Sequence, residues 1–343
     1  MNAPLRDPVL LNDWHPVAIS SNVVLGKLEA TTLLDTPVVI WRDAEGVIHA
    51  WEDRCPHRGI KLSMGGIETK GVVCPYHGWV FGSDAQCCHV PALPDADAQK
   101  INAKVKTFAV KEQYGLVWVC LGTPVLDVLP FPEFADKRLR KVWCGPYEVA
   151  SSAPRIIENF LDMPHFMYVH TDILGDKRKP EIPSYDVEPF DDPIYGQGVR
   201  AFNCKAWQPR TNALAHDGSM VEYTYRVVRP LTAILTKQPE VMSDFHEAIS
   251  LHLQPVSETV TRAWIILAMT NFQSTDEELR GFQDTIFLQD KPIVENQIPL
   301  RLPLVPGAEV SISADRMSTA YRRYLKTQGL RRSEEHTSEL QSH

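Results

Sequence analysis

Short runs of β-branched and aromatic residues dominate the first third of the chain. "TPVVIWRD" and "GVIHAWED" are two such runs joined by "AEG", and "KVKTFAVKEQYGLVWVCLG" repeats the pattern. Runs of this kind, separated by glycine and polar residues, are typical of strands joined by tight turns. The pattern predicts an all-β domain that extends to about Leu121.

The proline-bearing stretch "GTPVLDVLPFPEF" then breaks the pattern and indicates a domain boundary. Beyond it, "PRIIENFLDMPHFMYVH" begins as a helix, whereas "MVEYTYRVVRP", "AISLHLQP" and "VTRAWIILAM" are typical of strands. Two later helices are predicted around "DEELRGFQDTIFLQDKPIVENQ" and "SADRMSTAYRRYLKTQGL". We therefore predict the α+β class, with one domain over residues 1–125 and a second over 126–331 in which helices pack against an antiparallel sheet.

The last twelve positions have a different character. "RSEEHTSELQSH", residues 332–343, loses the hydrophobic periodicity abruptly and looks like the translation of a sequencing-library adapter. We exclude it from fold reasoning as a tail that is not native.

Composition narrows the class of protein. A chain of 343 residues with 44% hydrophobic and 23% charged residues is typical of a globular protein, and its net charge of -8 disfavours nucleic acid as a partner. No apolar run approaches the roughly 18 residues of a membrane helix, and the amino terminus lacks the features of an export signal. Seven irregularly spaced cysteines fit a reducing cytoplasm. We expect a cytoplasmic protein with a small-molecule partner.

Two cysteine and histidine pairs carry the first chemical signal. Cys55-x-His57 and Cys74-x-x-His77 lie in loops rich in glycine and proline. Free thiols beside ordinary histidines are one interpretation, and a structural zinc site is another, although zinc loops usually pair cysteine with cysteine. A Rieske [2Fe–2S] cluster needs one thiolate and one imidazole from each loop, because two thiolates hold one iron and two imidazoles the other. The spacing favours the Rieske cluster.

The second domain carries a further candidate metal site. His165 and His170 in "NFLDMPHFMYVH", with one carboxylate from elsewhere, match the two-histidine, one-carboxylate set of non-haem Fe(II) oxygenases. Asp290 is the preferred third ligand, because it lies on an apolar helix face where an unpaired carboxylate is costly. Asp284 and Glu295 remain alternatives.

Asp162 stands one turn before His165. Its carboxylate can accept a hydrogen bond from the second ring nitrogen of that histidine, or connect to a cluster histidine that arrives from outside the domain. A plain position on the helix surface remains open as well.

At these residues the chain resembles the oxygenase components of the Rieske non-haem iron oxygenases, from about Trp14 to Leu330. The motifs "CPHRG", "CPYHGW", "ENFLDMPHFMYVH" and "FLQDKPIVENQ" occur in the order of that family. Within it, the chain is most similar to the group that contains vanillate and dicamba O-demethylases, phenoxybenzoate dioxygenase and saxitoxin-pathway hydroxylases. The resemblance implies an N-terminal Rieske domain and a C-terminal helix-grip (START-like) catalytic domain.

The same resemblance implies the site residues. The cluster ligands would be Cys55, His57, Cys74 and His77, the mononuclear iron ligands would be His165, His170 and Asp290, and Asp162 would be the bridging carboxylate. It further implies a homotrimer in which the cluster of one subunit supplies electrons to the iron of its neighbour through that carboxylate.

The implied reaction is a monooxygenation. It uses O2 and electrons from NAD(P)H that arrive through a separate flavin/iron–sulfur reductase, since no GxGxxG fingerprint occurs in this chain. The product would be a hydroxylated or an O- or N-demethylated small aromatic or cyclic compound. Cis-dihydroxylation of an aromatic ring is the alternative reaction, and an electron-transfer protein with a degenerate second site is the alternative from another class.

Two further expectations concern local structure. Relatives commonly carry Asp-Gly where this chain has "SDAQCC", and Ala85 tolerates a positive φ less well than glycine, so we expect that turn to differ. The walls of the substrate pocket are expected between about Ala201 and Ile266, with His246 or Arg229 as candidate anchors for an anionic group.

Overall fold

The structure is a computed structural model that describes residues 7–94, 97, 100–211, 218–240 and 245–330. The chain divides into two compact units, and the division falls between Val128 and Leu129. The tail predicted over residues 332–343 lies outside the described residues. No helix in the described ranges is long and apolar enough to cross a bilayer.

The first unit is built of short antiparallel strands, which confirms the all-β prediction. The elements of this unit are α1 (Pro8–Leu11), β1 (His15–Ile19), β2 (Glu29–Leu33), β3 (Thr36–Arg42), β4 (Ile48–Glu52), β5 (Gly66–Glu68), β6 (Gly71–Val73), β7 (Val80–Phe81), β8 (Cys87–His89), β9 (Ala109–Gln113) and β10 (Leu116–Cys120), with short 3₁₀ helices at Ser20–Asn22 and Leu62–Met64. A three-stranded sheet has the order β1-β10-β9, a second has the order β2-β3-β4, and a four-stranded sheet has the order β5-β6-β7-β8.

The predicted hairpin is β3–β4. Its turn is held by the amide of Asp43, which donates to the carbonyl of Val47 (3.1 Å), and by the amide of Val47, which donates to the Asp43 carboxylate (2.8 Å). Gly46 supplies the positive φ of 82° that the turn requires. The hairpin places Trp41 and Trp51 edge to face in the core, with ring centroids 5.0 Å apart.

The turn at Ala85 corrects one expectation. Ala85 adopts a left-handed φ of 65°, so alanine takes the conformation that we expected it to avoid. Its amide donates to the carbonyl of Gly82 (2.8 Å), its carbonyl accepts from Val105 (3.0 Å), and the side chain is fully buried. Hydrogen bonds and packing therefore offset a conformational cost of roughly 1–2 kcal/mol.

The second unit contains one seven-stranded antiparallel sheet with helices against it, which confirms the α+β class and the antiparallel sheet. The elements of this unit are α2 (Pro132–Ala135), β11 (Arg140–Val149), α3 (Ala153–Leu161), α4 (Phe166–Val169), β12 (Asp186–Asp192), β13 (Gly196–Gln208), β14 (Ser219–Arg229), β15 (Thr232–Pro239), β16 (Glu247–Ser257), β17 (Val260–Met269), α5 (Asp276–Val294), a 3₁₀ turn at Ser313–Asp315 and α6 (Arg316–Thr327). The strand order of the sheet is β11-β17-β16-β15-β14-β13-β12.

Helix α5 is the longest helix of the described chain and begins at a well-defined cap. The Thr275 hydroxyl accepts from the amide of Glu278 (3.2 Å), and the Glu278 carboxylate accepts from the amide of Thr275 (2.7 Å). This reciprocal pair satisfies two of the amide groups that a helix start leaves without partners. The helix packs on β11, where the rings of Phe287 and Tyr147 stack at 4.1 Å.

Ion pairs link α3 to α6 and to the segment before it. The Arg155 guanidinium, 2% exposed, lies 2.6 Å from the Glu309 carboxylate, and Arg322 of α6 lies 2.6 Å from Glu158 of α3. These ion pairs fix α3 against α6 and the preceding segment, and the candidate residues of the second metal site begin at the carboxyl end of α3.

Candidate metal centres and the adjoining cavity

Two loops with the same hydrogen bonds present the cysteine and histidine pairs. The amide of Cys55 donates to the carbonyl of Ile60 (2.8 Å), and the amide of Gly59 donates back to Cys55 (2.9 Å). In the second loop the amide of Cys74 donates to Trp79 (2.8 Å), and the amide of Gly78 donates to Cys74 (3.1 Å). The two loops are therefore equivalent turns, each with its cysteine at the start.

The four side chains divide into an inner and an outer pair. Cys55 and Cys74 are 1% and 2% exposed and belong to the core of the unit, whereas His57 is half-buried and His77 is exposed. The imidazole centroids of His57 and His77 lie 4.7 Å apart. Burial, aided by the neighbouring Cys74 thiol, raises the pKa of Cys55 to about 11. An iron pair that binds both sulfurs supplies the positive charge that the thiolates need.

Aromatic rings support the two histidines. The His57 imidazole stacks on the Trp79 indole at 4.3 Å, and the Tyr76 ring stacks on His77 at 3.9 Å. Two buried sulfurs on one side and two outward imidazoles on the other fit a cluster with one iron on each side.

The second site lies at the carboxyl end of α3 and on α4. Asp162 follows α3 directly, His165 precedes α4, and His170 follows it. The ligand atoms of His165, His170 and Asp290 lie within 4.8 Å of one another. Among the residues that the structure describes, this is the set of three histidine, cysteine or carboxylate side chains that is gathered closely enough to hold one metal ion.

The distances within this group converge on a single point. His165 Nε2 and His170 Nε2 are 3.2 Å apart, and Asp290 Oδ1 lies 3.4 Å from the first nitrogen and 3.1 Å from the second. Two imidazoles and one carboxylate on one side of a cavity leave coordination positions open on the other side, which fits non-haem iron.

The electrostatics of the group favour a cation. Burial opposes a charge on His165, but hydrogen bonds to Asp162 and Asp290 outweigh it and raise its pKa to about 9. Burial likewise opposes ionisation of Asp290, but the two histidines lower its pKa to about 2. The carboxylates around His165 thus stabilise a positive charge at this point, which a divalent metal ion would supply in place of the proton.

Three neighbouring side chains orient the candidate ligands. His165 Nδ1 lies 2.8 Å from Asp162 Oδ2, and His170 Nδ1 lies 2.8 Å from Gln289 Oε1. The Asn159 amide donates to Asp290 Oδ1 (3.4 Å). A proton on each Nδ1 leaves each Nε2 free to bind a metal. Sequence reasoning found Asp162 and missed Asn159 and Gln289, although Asn159 stands one turn before Asp162 and Gln289 directly precedes Asp290.

The alternative carboxylates lie elsewhere. The Tyr147 hydroxyl donates to Asp284 (2.5 Å), and Glu295 accepts from the amide of Ala150 (2.8 Å). Both carboxylates thereby have partners of their own, and neither joins the His165 and His170 group.

A largely apolar cavity adjoins this group. One face of α5 forms part of its wall, through residues spaced by three or four positions, and β14 to β17 form another part. This confirms part of the predicted wall, because "YTYRVVRPLTAIL" contributes Tyr223, Tyr225 and Leu235, and "ISLHLQP" contributes Ile249 and Leu251. The α5 residues in the wall, which we did not predict, are Leu279, Phe282, Gln283, Ile286, Phe287 and Asp290.

The two candidate anchors for an anionic group lie outside this wall. Neither Arg229 nor His246 lines the cavity. Arg229 instead donates to the carbonyls of Tyr195 (3.3 Å) and Val228 (2.8 Å). The charged residues in the wall besides the metal group are Lys237 and Glu247.

Comparison with protein families decides between the interpretations. Residues 13–109 match the model of the Rieske [2Fe-2S] domain, and residues 149–329 match that of the vanillate O-demethylase oxygenase C-terminal domain. The chain belongs to the Rieske oxygenases. The zinc and free-thiol interpretations of the first unit are thereby excluded, as is the electron-carrier interpretation of the whole chain.

Individual relatives of this oxygenase are demethylases. It is 43% identical over 217 residues, 63% of this chain and 76% of the relative, to "Probable methylxanthine N7-demethylase NdmC" of Pseudomonas sp. (strain TJI-51). It is 31% identical to the methylxanthine N1-demethylase NdmA of Pseudomonas putida, over 91% of this chain and 87% of NdmA. The solved structure of NdmA with caffeine superposes with a TM-score of 0.77 at 29% identity, covering 93% of this chain and 91% of NdmA.

These relatives establish the reaction type. The oxygenase is the oxygenase component of a multicomponent Rieske monooxygenase, and the relatives favour demethylation over ring cis-dihydroxylation. Its family uses a [2Fe–2S] cluster, mononuclear iron, O2 and NAD(P)H through a separate electron-transfer partner. The oxidoreductase NdmD of Pseudomonas putida is 40% identical over 115 residues, 33% of this chain and 19% of NdmD.

Proposed function

We propose that this oxygenase removes the methyl group from nitrogen in a planar heteroaromatic compound of the methylxanthine type. The observation that carries the proposal is the His165, His170 and Asp290 group in the wall of an apolar cavity rich in aromatic rings. Flat rings such as those of Phe160, Phe166 and Phe282 suit a planar substrate. The identity to methylxanthine demethylases supports the same substrate class.

We propose that Cys55, His57, Cys74 and His77 hold the cluster, and that His165, His170 and Asp290 hold the mononuclear iron. The equivalent loops support the first assignment, and the converging donor atoms support the second. The two-domain division at residues 1–125 and 126–331 remains part of the proposal, and the position of the two family matches on either side of it is consistent with that division.

The iron, when bound, supplies the activation of O2 that oxidises the methyl carbon; a hydroxylated N-methyl group then leaves as formaldehyde. The side chains of this protein prepare that chemistry. Asp162 and Gln289 keep the protons of His165 and His170 on Nδ1, so both Nε2 atoms face the metal position. Apolar walls such as Ile286 and Leu251 exclude water and position the methyl group.

Asp162 is proposed as the carboxylate through which electrons enter from a neighbouring subunit. Its side chain is bound to His165 and remains one quarter exposed, so a second histidine can reach it from outside. A homotrimer is proposed with it, on the resemblance to the family. The expected result in light scattering is a mass three times that of one chain, and a monomer that turns over at full rate would contradict both statements.

A cytoplasmic location is proposed from the cysteines. None of the seven cysteines forms a disulfide, as a reducing compartment favours.

The proposed function is tested with the cluster- and iron-loaded oxygenase, a surrogate reductase and NADH. Caffeine, theobromine and methoxylated aromatics such as vanillate are supplied in parallel, and formaldehyde and O2 consumption are measured. Formaldehyde in proportion to O2 is expected from the N-methylated compounds. Formaldehyde from the methoxylated aromatics alone would overturn the proposal in favour of O-demethylation.

A further inference from the structure

A buried ion pair lies in the wall of the same cavity. Lys237 of β15 and Glu247 of β16 are direct partners across the two strands. Each is 6% exposed, and Lys237 Nζ lies 2.6 Å from Glu247 Oε2. Both side chains line the cavity that contains His165, His170 and Asp290.

The pair is costly as a purely structural element. Removing two charges from water costs several kcal/mol per ion, and apolar side chains of similar volume are often as stable or more stable. Most of the cavity wall around the pair consists of such apolar residues, for example Leu235, Ile249 and Leu267. Stability alone therefore does not account for a lysine and a glutamate at these positions.

The pair also has hydrogen-bonding capacity to spare. Lys237 Nζ contacts Glu247 Oε2 at 2.6 Å, and among the described residues neither side chain has a second polar partner. A lysine ammonium carries three donors and a carboxylate accepts on both oxygens. The buried hydroxyl of Tyr225, also in the wall, has no partner within the described ranges. Buried polar groups are rarely left unbonded, which indicates a ligand.

We propose that Lys237 and Glu247 together bind an amide-type edge of the substrate ring, a carbonyl oxygen beside an unsubstituted ring N–H. Lys237 donates to the carbonyl, and Glu247 accepts from the N–H. The Lys237 ammonium only donates hydrogen bonds, and the Glu247 carboxylate only accepts them. Side by side on adjacent strands, they match the carbonyl acceptor and the N–H donor of that edge. The inference rests on the proposed function and deepens it, since it states which N-methylated heterocycles the cavity accepts.

The inference gives the enzyme a place in a reaction sequence. If the ring nitrogen beside that carbonyl carries a methyl group, it has no hydrogen to donate to Glu247. The methyl group would then lie against a buried carboxylate. The preferred substrate is therefore partly demethylated. A reaction that removes a methyl group from an amide nitrogen must come before this one when the starting compound is fully methylated.

Theobromine and caffeine test this directly, because theobromine has an N–H between two carbonyl groups where caffeine has an N-methyl group. Isothermal titration of the cluster- and iron-loaded oxygenase, under anaerobic conditions, measures both affinities without turnover. Theobromine is expected to bind about 10- to 100-fold more tightly than caffeine, as one charge-assisted hydrogen bond implies. Equal affinities, or binding of neither compound, would overturn the inference.

A double variant separates recognition from folding. Lys237→Met with Glu247→Leu removes both charges together, so no uncompensated charge is buried. Its cluster spectrum and iron content are expected to match the wild type, while the preference for theobromine disappears. The matched control is Lys205→Met with Glu222→Leu, an exposed Lys–Glu pair across β13 and β14 at 3.7 Å, which should retain the preference.

The outcomes distinguish this inference from the proposed function. A folded Lys237 and Glu247 double variant that still prefers theobromine would show that the pair is only structural. A preference for theobromine that the double variant loses, without formaldehyde from either compound, would support the recognition site and overturn the proposed N-demethylation.

Discussion

The hydrogen bond between Gln289 and His170 offers a quantitative test of the metal site. Gln289→Leu removes the acceptor that lies 2.8 Å from His170 Nδ1 and keeps a side chain of similar size. His170 is 1% exposed, so water does not replace the lost partner. An unsatisfied buried donor costs about 1–3 kcal/mol. Loss of such a contact to a metal-binding histidine lowers metal affinity by about 10- to 100-fold, which corresponds to a similar free energy of about 1.4–2.7 kcal/mol.

The assay is retention of mononuclear iron against a graded chelator, with the cluster absorbance as an internal reference. For Gln289→Leu, the chelator concentration that removes half of the mononuclear iron should be about 10- to 100-fold lower than for the wild type, while the cluster spectrum stays unchanged. Gln289→Glu should restore retention, because a carboxylate also accepts from His170 Nδ1. Gln283→Leu is the matched control on the same helix, since Gln283 lines the cavity and, among the described residues, forms no hydrogen bond with His165, His170 or Asp290. Wild-type retention by Gln289→Leu would refute the role of this contact.

Three further predictions use the same preparation and its unfolding. Asp290→Ala should bind no mononuclear iron and release no formaldehyde while its cluster spectrum persists; turnover by that variant would exclude Asp290 as a ligand. Asp162→Asn should retain three irons and two labile sulfides per chain but reoxidise its cluster about 10- to 100-fold more slowly in single-turnover measurements with substrate and O2, and loss of both metals would argue against electron entry there. Burial lowers the pKa of His252 to about 3, against 6.5 in the unfolded chain. Between these values the unfolded chain binds the proton and the folded chain does not, so stability falls as the pH falls below 6.5, by about 2 kcal/mol at pH 5. His252→Gln should show a correspondingly smaller loss in denaturant unfolding between pH 7 and pH 5, and an unchanged pH dependence would contradict the assigned pKa.

Features that depend on local sequence were predictable. Alternating apolar residues indicated the strands of both units, and the cysteine and histidine spacing indicated the cluster loops. Asp290 could be preferred over Asp284 and Glu295 because its neighbours on the helix were apolar. The physical reasons are the strand period, the ligand spacing and the cost of burying a charge. Each depends on residues a few positions apart, so each can be recognised in the sequence.

Features that depend on distant contacts were not predictable. Gln289 reaches a histidine 119 positions earlier in the chain. Lys237 and Glu247 become partners only through the register of two strands, which the sequence does not reveal. His246 and Arg229 are equally suitable anchors by sequence, and only the folded sheet distinguishes side chains that line the cavity from those that do not. The left-handed conformation of Ala85 is likewise imposed by the hydrogen bonds around it.

Helix α5 carries both part of the cavity wall and the proposed iron ligand Asp290, and this limits which sequence changes the enzyme can accept in this segment. Gln283 lies about two turns before Asp290, so exchanges of size at that position reshape the cavity while the backbone of the ligand stays in place. Inserting or deleting one residue between them would instead rotate the carboxylate by about 100° around the helix axis, away from both imidazoles. Substitutions in this segment can therefore change the range of substrates, whereas an insertion or deletion would abolish the reaction because it displaces the Asp290 carboxylate.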